Sequence, residues 1–483
     1  MNRARTAFPR PERPFRRNRA HRESRPCIGI LTALATFATI APTQDPPPDP
    51  RLAWLRAHAA PVRSIDPTDT DFADLAPLAG AIGNARIVGL GEQSHGDGAT
   101  FDAKVRIIRF LHERLGFDVL VWESGMFDCD RVEQALRDGQ PMRDAWPLGI
   151  FAIWGQSQQV QPLFDYIDTT RATEHPLRIA GLDVQPNGRG AREAMRDWVA
   201  ALGARVADDA ELAAAAKTFA ATCATLGGGG PPVPTPTNTA GMTEAERDGA
   251  SAAAAALVAA LERGDAGAFA AMPGDQRALA ARTLKNFAAA IDMMFWFART
   301  RGEGAPPDAM RRVVLAREAA MADTLVWLAQ ERFATHKVVV WAASSHLAFG
   351  SGTIEIQGPN DQWHAEPEGW QPMGHAAREA LGEAFYVIDF LAYAGKQGRG
   401  ERSSELDPAA PDTLDGLCHA TGQPFLFVDL RRAPGLAGGE WLGQLQVARP
   451  RGYVPMRAVW GRECDAFFFT DRMYPSAIAA GGK

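Results

Sequence analysis

The chain is predicted to be an α/β protein: a central, largely parallel mixed sheet flanked by helices, with a long helical insertion forming a cap or second lobe over a cleft. Three observations predict it. First, RIVGLGEQSHGDGATFDAKVRIIRFLHERLGFDVLVWES (Arg86–Ser124) reads as strand, polar loop, helix, strand. Its ends, Arg86–Leu90 and Asp118–Trp122, are apolar runs too short for helices, whereas Phe101, Val105, Ile108, Leu111 and Leu115 recur at helical spacing. Two strands joined this way form a βαβ unit, whose sheet is parallel and buried. Second, strand-like runs return in the last third of the chain, so both halves feed one sheet. Third, residues 190–335 are helical by composition.

Residues 1–50 read as a region outside the fold. Nine arginines against Glu12 and Glu23 give residues 1–26 a net +7, which leaves −13 for the rest of a chain totalling −6. So acidic a body suits neither nucleic acid nor an anionic membrane surface. The uncharged run IGILTALATFATIA (Ile28–Ala41) has signal-peptide length and falls short of the roughly 20 residues that span a bilayer. Followed by the break PTQDPPPDP, it predicts export to the periplasm or beyond; without a working signal the chain stays cytoplasmic. Cys27 goes with this region, and Cys129, Cys223, Cys418 and Cys464 match no metal-binding spacing.

Beyond it, residues 51–475 read as the folded domain and 476–483 as a tail. Asp69–Gly80 suggests a short capped helix before the first strand, and Cys129–Arg137 a helix after the second. Ala145–Ile167 mixes aromatics with a short helix. Leu177–Asp183 is a third strand. Helices follow at Ala191–Leu202, Asp209–Leu226, Thr243–Arg263, Asp275–Arg301 and Ala309–Phe333, with the linker GGGGPPVPTPTNT (Gly227–Thr239) among them. The apolar patch DMMFWF (Asp292–Phe297) reads as ordinary core. Lys337–Ala342, Glu383–Ala392, Pro424–Leu430, Tyr453–Val459 and Asp465–Thr470 are the later strands, and Lys396–Arg402 a basic surface loop.

In open α/β sheets, ligands sit outside the carboxyl ends of the strands. Glu92 and His95 follow the first strand, Glu123 ends the second, Asp183 ends the third and His346 lies just past the fourth. Asp183 is equally readable as a helix cap. Lys104 falls inside the apolar stripe of its helix, where an ammonium must neutralise, snorkel or find a carboxylate. Glu92 and Glu123 are its nearest candidates. His112, late in the same helix, reads as structural.

These residues carry a likeness. GEQSHG (Gly91–Gly96), Lys104 nine positions after His95, VLVWES (Val119–Ser124), GLDVQ (Gly181–Gln185), REAAMADTLVWL (Arg317–Leu328), VVWAASSHL (Val339–Leu347) and DAFFFTDR (Asp465–Arg472) resemble, in order, the erythromycin esterase family. The likeness spans roughly residues 60–475. It implies a metal-independent, cofactor-free hydrolase that opens macrolide lactones or other esters with water. His95 would be the general base, Glu92 its orienting partner, Glu123 part of the carboxylate wall and Lys104 a cation for the developing oxyanion. His346 would match the second histidine of the family's W-A-H-N-x-H stretch. Ala343 replaces the first and Ser344 the asparagine, which sets macrolide hydrolysis in question. Asp183, Trp154 and Ser344 are the candidates for substrate contact.

The chemistry is coherent on its own. A histidine ordinarily titrates near 6.5, and a neighbouring carboxylate fixes its tautomer and strengthens it as a base. No G-x-S-x-G elbow and no Walker loop is present. Three functions remain open at this level: an ester or lactone hydrolase acting on a small molecule, a protein holding a divalent metal on these same acids and histidines, and a binding protein that kept the cleft. No nucleic-acid partner or stable membrane insertion is expected, and nothing in the sequence indicates an oligomeric state.

Overall fold

Buried apolar runs at Ile87–Leu90, Val119–Trp122 and Val338–Trp341 have no exposed face, as expected for strands covered on both sides. The computed structural model describes residues 49–479 apart from 187, 228–240, 265–266, 301–303, 351 and 368. The segment Ile28–Ala41 and most of the linker Gly227–Thr239 lie outside the described residues. The strands are β1 (Ala60–Pro61), β2 (Ile87–Leu90), β3 (Val119–Gly125), β4 (Arg178–Asp183), β5 (Val338–Trp341), β6 (Glu355–Gln357) and β7 (Trp363–Ala365). After them come β8 (Phe385–Arg399), β9 (Arg402–Leu406), β10 (Phe425–Asp429), β11 (Gln446–Ala448), β12 (Met456–Ala458) and β13 (Ala466–Met473).

The central sheet has the order β1-β10-β13-β8-β2-β5-β3-β4, with β9 hairpinned onto β8. From β13 to β4 every neighbouring pair is parallel, while β10 runs antiparallel to both β13 and β1. The fold is therefore mixed α/β with a mostly parallel sheet flanked by helices. β2 lies between β8 and β5, with Leu90 opposite Ile388 and Trp341, so the first and last thirds of the chain interleave.

Alternation along the strands sends side chains into two cores. Val88, Leu90, Trp122, Trp341 and Ile388 pack with Phe101, Ile108 and Leu111 of the helix Gly98–Leu115. Ile87, Val119, Val121, Val340 and Phe467 face the other way. The helices Arg189–Ala204, Ala210–Gly227, Glu244–Glu262 and Gly274–Ala298 enclose a third core around Phe219, Leu257, Phe287 and Phe295. Helix Ala309–Trp327 packs on Gly274–Ala298 and on β4, so it joins this layer to the sheet. Among the described residues, no helix is long and apolar enough to cross a membrane.

Two expectations fail locally. Lys396–Arg402 is not a loop: β8 continues to Arg399 and turns back as β9, because Gly395 and Gly398, at φ 132° and 101°, let the strand bend without ending. The Tyr453–Val459 run is not a strand of the main sheet. Tyr453 is in a turn at φ 60°, and only Met456–Ala458 is extended, within a second sheet ordered β11-β12-β6-β7.

Candidate active site

The parallel strands end on one side, and the loops leaving them carry the ionisable residues. After β2, Gly91 N–H donates to Ile388 O (2.8 Å) and Ser344 N–H to Glu92 O (3.0 Å), so the loop backbone is fixed from both neighbouring strands. Ser94 anchors it further through Asp97, its N–H at 2.8 Å and hydroxyl at 2.9 Å. Gly96 is needed because a Cβ there would sit 2.5 Å from the Gly398 carbonyl carbon.

Three donors converge on the buried Glu92. Lys104 Nζ lies 2.8 Å from Oε2, while Trp154 Nε1 and His95 Nδ1 lie 2.9 and 2.8 Å from Oε1. A carboxylate so surrounded acts as acceptor, so His95 carries its proton on Nδ1 and leaves Nε2 with a free lone pair. The His95 side chain is 44% exposed whereas Glu92 and Lys104 are enclosed. Partial enclosure lowers the His95 pKa, but the Glu92 hydrogen bond and the Glu123 and Glu92 charges outweigh it and hold it above 6.5. Lys104 also donates to Ala342 O (3.4 Å) and rests 4.2 Å from the Trp341 ring centre. Burial draws its pKa down against the pull of Glu92.

A second cluster faces the first. Glu123 Oε1 receives Arg317 Nη2 (2.9 Å) and His346 Nε2 (3.2 Å), and Oε2 receives Ala343 N–H (2.8 Å). Burial would raise its pKa, but the His346, His95 and Arg317 charges hold it well below the usual carboxylate range. His346 Nδ1 meets Glu318 Oε1 at 2.5 Å. Against desolvation, Glu123 and Glu318 push His346 up to about 10, making it an imidazolium. Arg317 also forks onto Asp183 at 3.0 and 2.7 Å.

The structure therefore brings His95, Glu92, Lys104 and Trp154 into one contact group and Glu123, His346 and Asp183 into another. It does not place all of them at the surface of a cleft. Lys104 stands behind Glu92, enclosed by Trp341 and Ala342, with its ammonium on Glu92 and no exposed surface. Trp154, Asp183 and Ser344 are also fully buried: Trp154 holds Glu92, Asp183 holds Arg317, and the Ser344 hydroxyl sits beside Asp389. His112 is structural, joined to Tyr166 Oη (2.6 Å) and His175 O (3.0 Å).

Comparison with known proteins follows the same lines. The family model for erythromycin esterase matches residues 112–473, well over half of the chain. The chain belongs to the erythromycin esterase family. YbfO of Bacillus subtilis (strain 168), named as an inferred hydrolase, is 24% identical over 438 residues, 88% of this chain and 91% of that protein. Erythromycin esterase type II of Escherichia coli is 26% identical over 137 residues, 28% of this chain and 32% of its own. Three solved structures share the fold at 18% identity. A Bacillus cereus protein has TM-score 0.69 (90% of this chain, 100% of that one). A protein titled for succinoglycan biosynthesis has 0.67 (89% and 98%), and a mutant of erythromycin esterase EreC in its open conformation has 0.63 (86% and 98%). Family and relatives alike make this chain a hydrolase by kinship.

Within the family match, Arg317 and Glu318 are the site residues whose roles sequence reasoning missed. The signal was present: Glu318 lies three, four and seven positions before Met321, Ala322 and Leu325, so it falls within the apolar stripe of helix Ala309–Trp327, where a carboxylate needs a partner. Lys104 was found by that same argument. Glu92, His95 and Lys104 precede residue 112, so their grouping rests on the geometry above.

Proposed function

We propose that the chain hydrolyses a carboxylic ester or lactone, with His95 as general base and without a metal ion. The observation that carries this is a histidine pinned through Nδ1 to a buried carboxylate while its other face stays open. His95 Nε2 takes a proton from water as the water oxygen bonds to the ester carbonyl carbon. Collapse of the tetrahedral intermediate breaks the C–O bond, and the departing alkoxide takes the proton from the His95 imidazolium, giving acid and alcohol. Glu92, charged through Lys104, fixes the tautomer and stabilises that imidazolium. Arg317, a cation whose side chain is 17% exposed, is the group offered to the oxyanion.

A panel of aryl esters and lactones tests the reading. His95→Ala should lower kcat by about 10²- to 10⁴-fold with little change in Tm, the range for a lost general base. An unchanged rate would remove His95 from the mechanism. Chelator treatment should leave the rate intact; loss that a divalent ion restores would favour a metal site on these residues instead. Because Ala343 stands where the family carries histidine, the preferred substrate is taken to be an ester other than a macrolide.

A further inference from the structure

Three cations at this end of the sheet are each matched to an acid. Lys104 has Glu92, Arg317 has Glu123 and Asp183, and Arg451 has Glu366 and Glu463. Arg399 is different. Its Nη2 donates to the neutral Gln156 Oε1 at 2.6 Å, and among the described residues no carboxylate lies within ion-pair distance of it. Its Nε is enclosed without a hydrogen-bond partner. Burial and the nearby Arg402 charge lower its pKa, with no acid opposing them.

The placement is tied to the site. β8 overshoots the sheet and bends at Gly398, whose backbone packs on Gly96, the residue after His95. Ser476 N–H donates to Gly96 O (2.6 Å) and Gly398 O (3.1 Å), and Ala479 N–H to Gln156 O (2.8 Å). Gln156 follows the short helix Ala152–Gly155, which holds Trp154 against Glu92 and His95. Arg399 is thus fixed where four segments meet, two of them carrying His95 and Trp154. Holding a half-buried guanidinium in place without a counter-charge costs stability unless an anion arrives.

Resting on the hydrolase reading above, we propose that Arg399 is a specificity-determining residue: it receives an anionic oxygen group of the substrate, so the preferred ester carries a carboxylate beside the scissile bond. A guanidinium pairs with a carboxylate through charge-assisted, often bidentate hydrogen bonds. Such a site selects charge even though the body of the protein is acidic.

The test uses the full chain and two matched aryl esters, 4-nitrophenyl hydrogen glutarate (anionic) and 4-nitrophenyl butyrate (neutral). The ratio of their kcat/KM values should favour the anion. Arg399→Gln should reduce that ratio roughly ten- to a hundredfold through KM, the range for a lost hydrogen bond to a charged group, and Arg399→Lys should restore part of it. Binding is read separately by calorimetric titration with monomethyl glutarate and its neutral amide. Heat from the anion alone, abolished in Arg399→Gln, supports the proposal even where neither ester turns over, in which case only the hydrolase reading fails. A ratio untouched by Arg399→Gln, or equal heats from anion and amide, overturns it. So does a lowered Tm with parallel loss on both esters, which makes Arg399 a buttress.

Discussion

At the residue scale, the site depends on charges that cannot be removed singly. Glu92 and Lys104 are both enclosed, and the loss of one partner strands the other. Lys104→Met is expected to destabilise the fold by about 3–5 kcal/mol in urea titration, and the double variant Lys104→Met, Glu92→Gln by distinctly less. A double variant as unstable as the single one would deny the coupling. The histidines give opposite pH signatures. His95 must be neutral to accept a proton and its pKa lies above 6.5, so kcat/KM should rise with pH through an apparent pKa displaced upward from that value. A profile flat from pH 6 to 9 would contradict it. The folded-state pKa of His346, about 10, exceeds the ordinary 6.5 of an unfolded chain. The stability it contributes is therefore complete below about 6.5 and is lost as pH rises towards 10. His346→Gln should flatten the fall in Tm across that window.

At the element scale, the Gly91–Gly96 loop is shaped by what lies against it. Gly96→Ala would force Cβ into the Gly398 backbone, so activity should drop by more than an order of magnitude while far-UV circular dichroism stays native. Retention of full activity would show that the hairpin yields. Much of this scale was legible in the sequence. The βαβ unit around Lys104, the strand-end acids and the helices of residues 190–335 follow from periodicity and composition, which are local. Lys104 was readable because one charge breaks an apolar stripe. The continuation of β8 was not, since the Gly-rich, basic KQGRGER carries turn chemistry and becomes a strand only by pairing with β9. Nor was the second sheet: β6, β7, β11 and β12 are three-residue strands, too short to show a period, and the two local pairs β6–β7 and β11–β12 are joined only by the distant pairing of β12 with β6. The enclosure of Trp154, Asp183 and Ser344 was hidden as well. A strand-end position says which side a residue is on, and packing decides whether it meets solvent.

At the scale of the whole molecule, helix Ala309–Trp327 ties the all-helical core to the sheet, and it brings Arg317 and Glu318 with it. Phe287 lies in that helical core, away from the site residues. Phe287→Ala should cost about 3–5 kcal/mol, as large-to-small core changes do, and should move circular dichroism and tryptophan fluorescence transitions together. Separate transitions would mean that the helical layer unfolds on its own. The margins of the sheet have a consequence of another kind. On one side the last strand, β1, is two residues long and ends at Pro61, which has no N–H to offer; on the other, β4 is buried beneath the helices Met126–Arg137 and Ala309–Trp327. Neither of these two borders presents a long row of open backbone groups to a stranger chain, so strand-by-strand association of the native protein in concentrated solution should start instead at β9, five mostly exposed residues whose one strand partner among the described residues is β8.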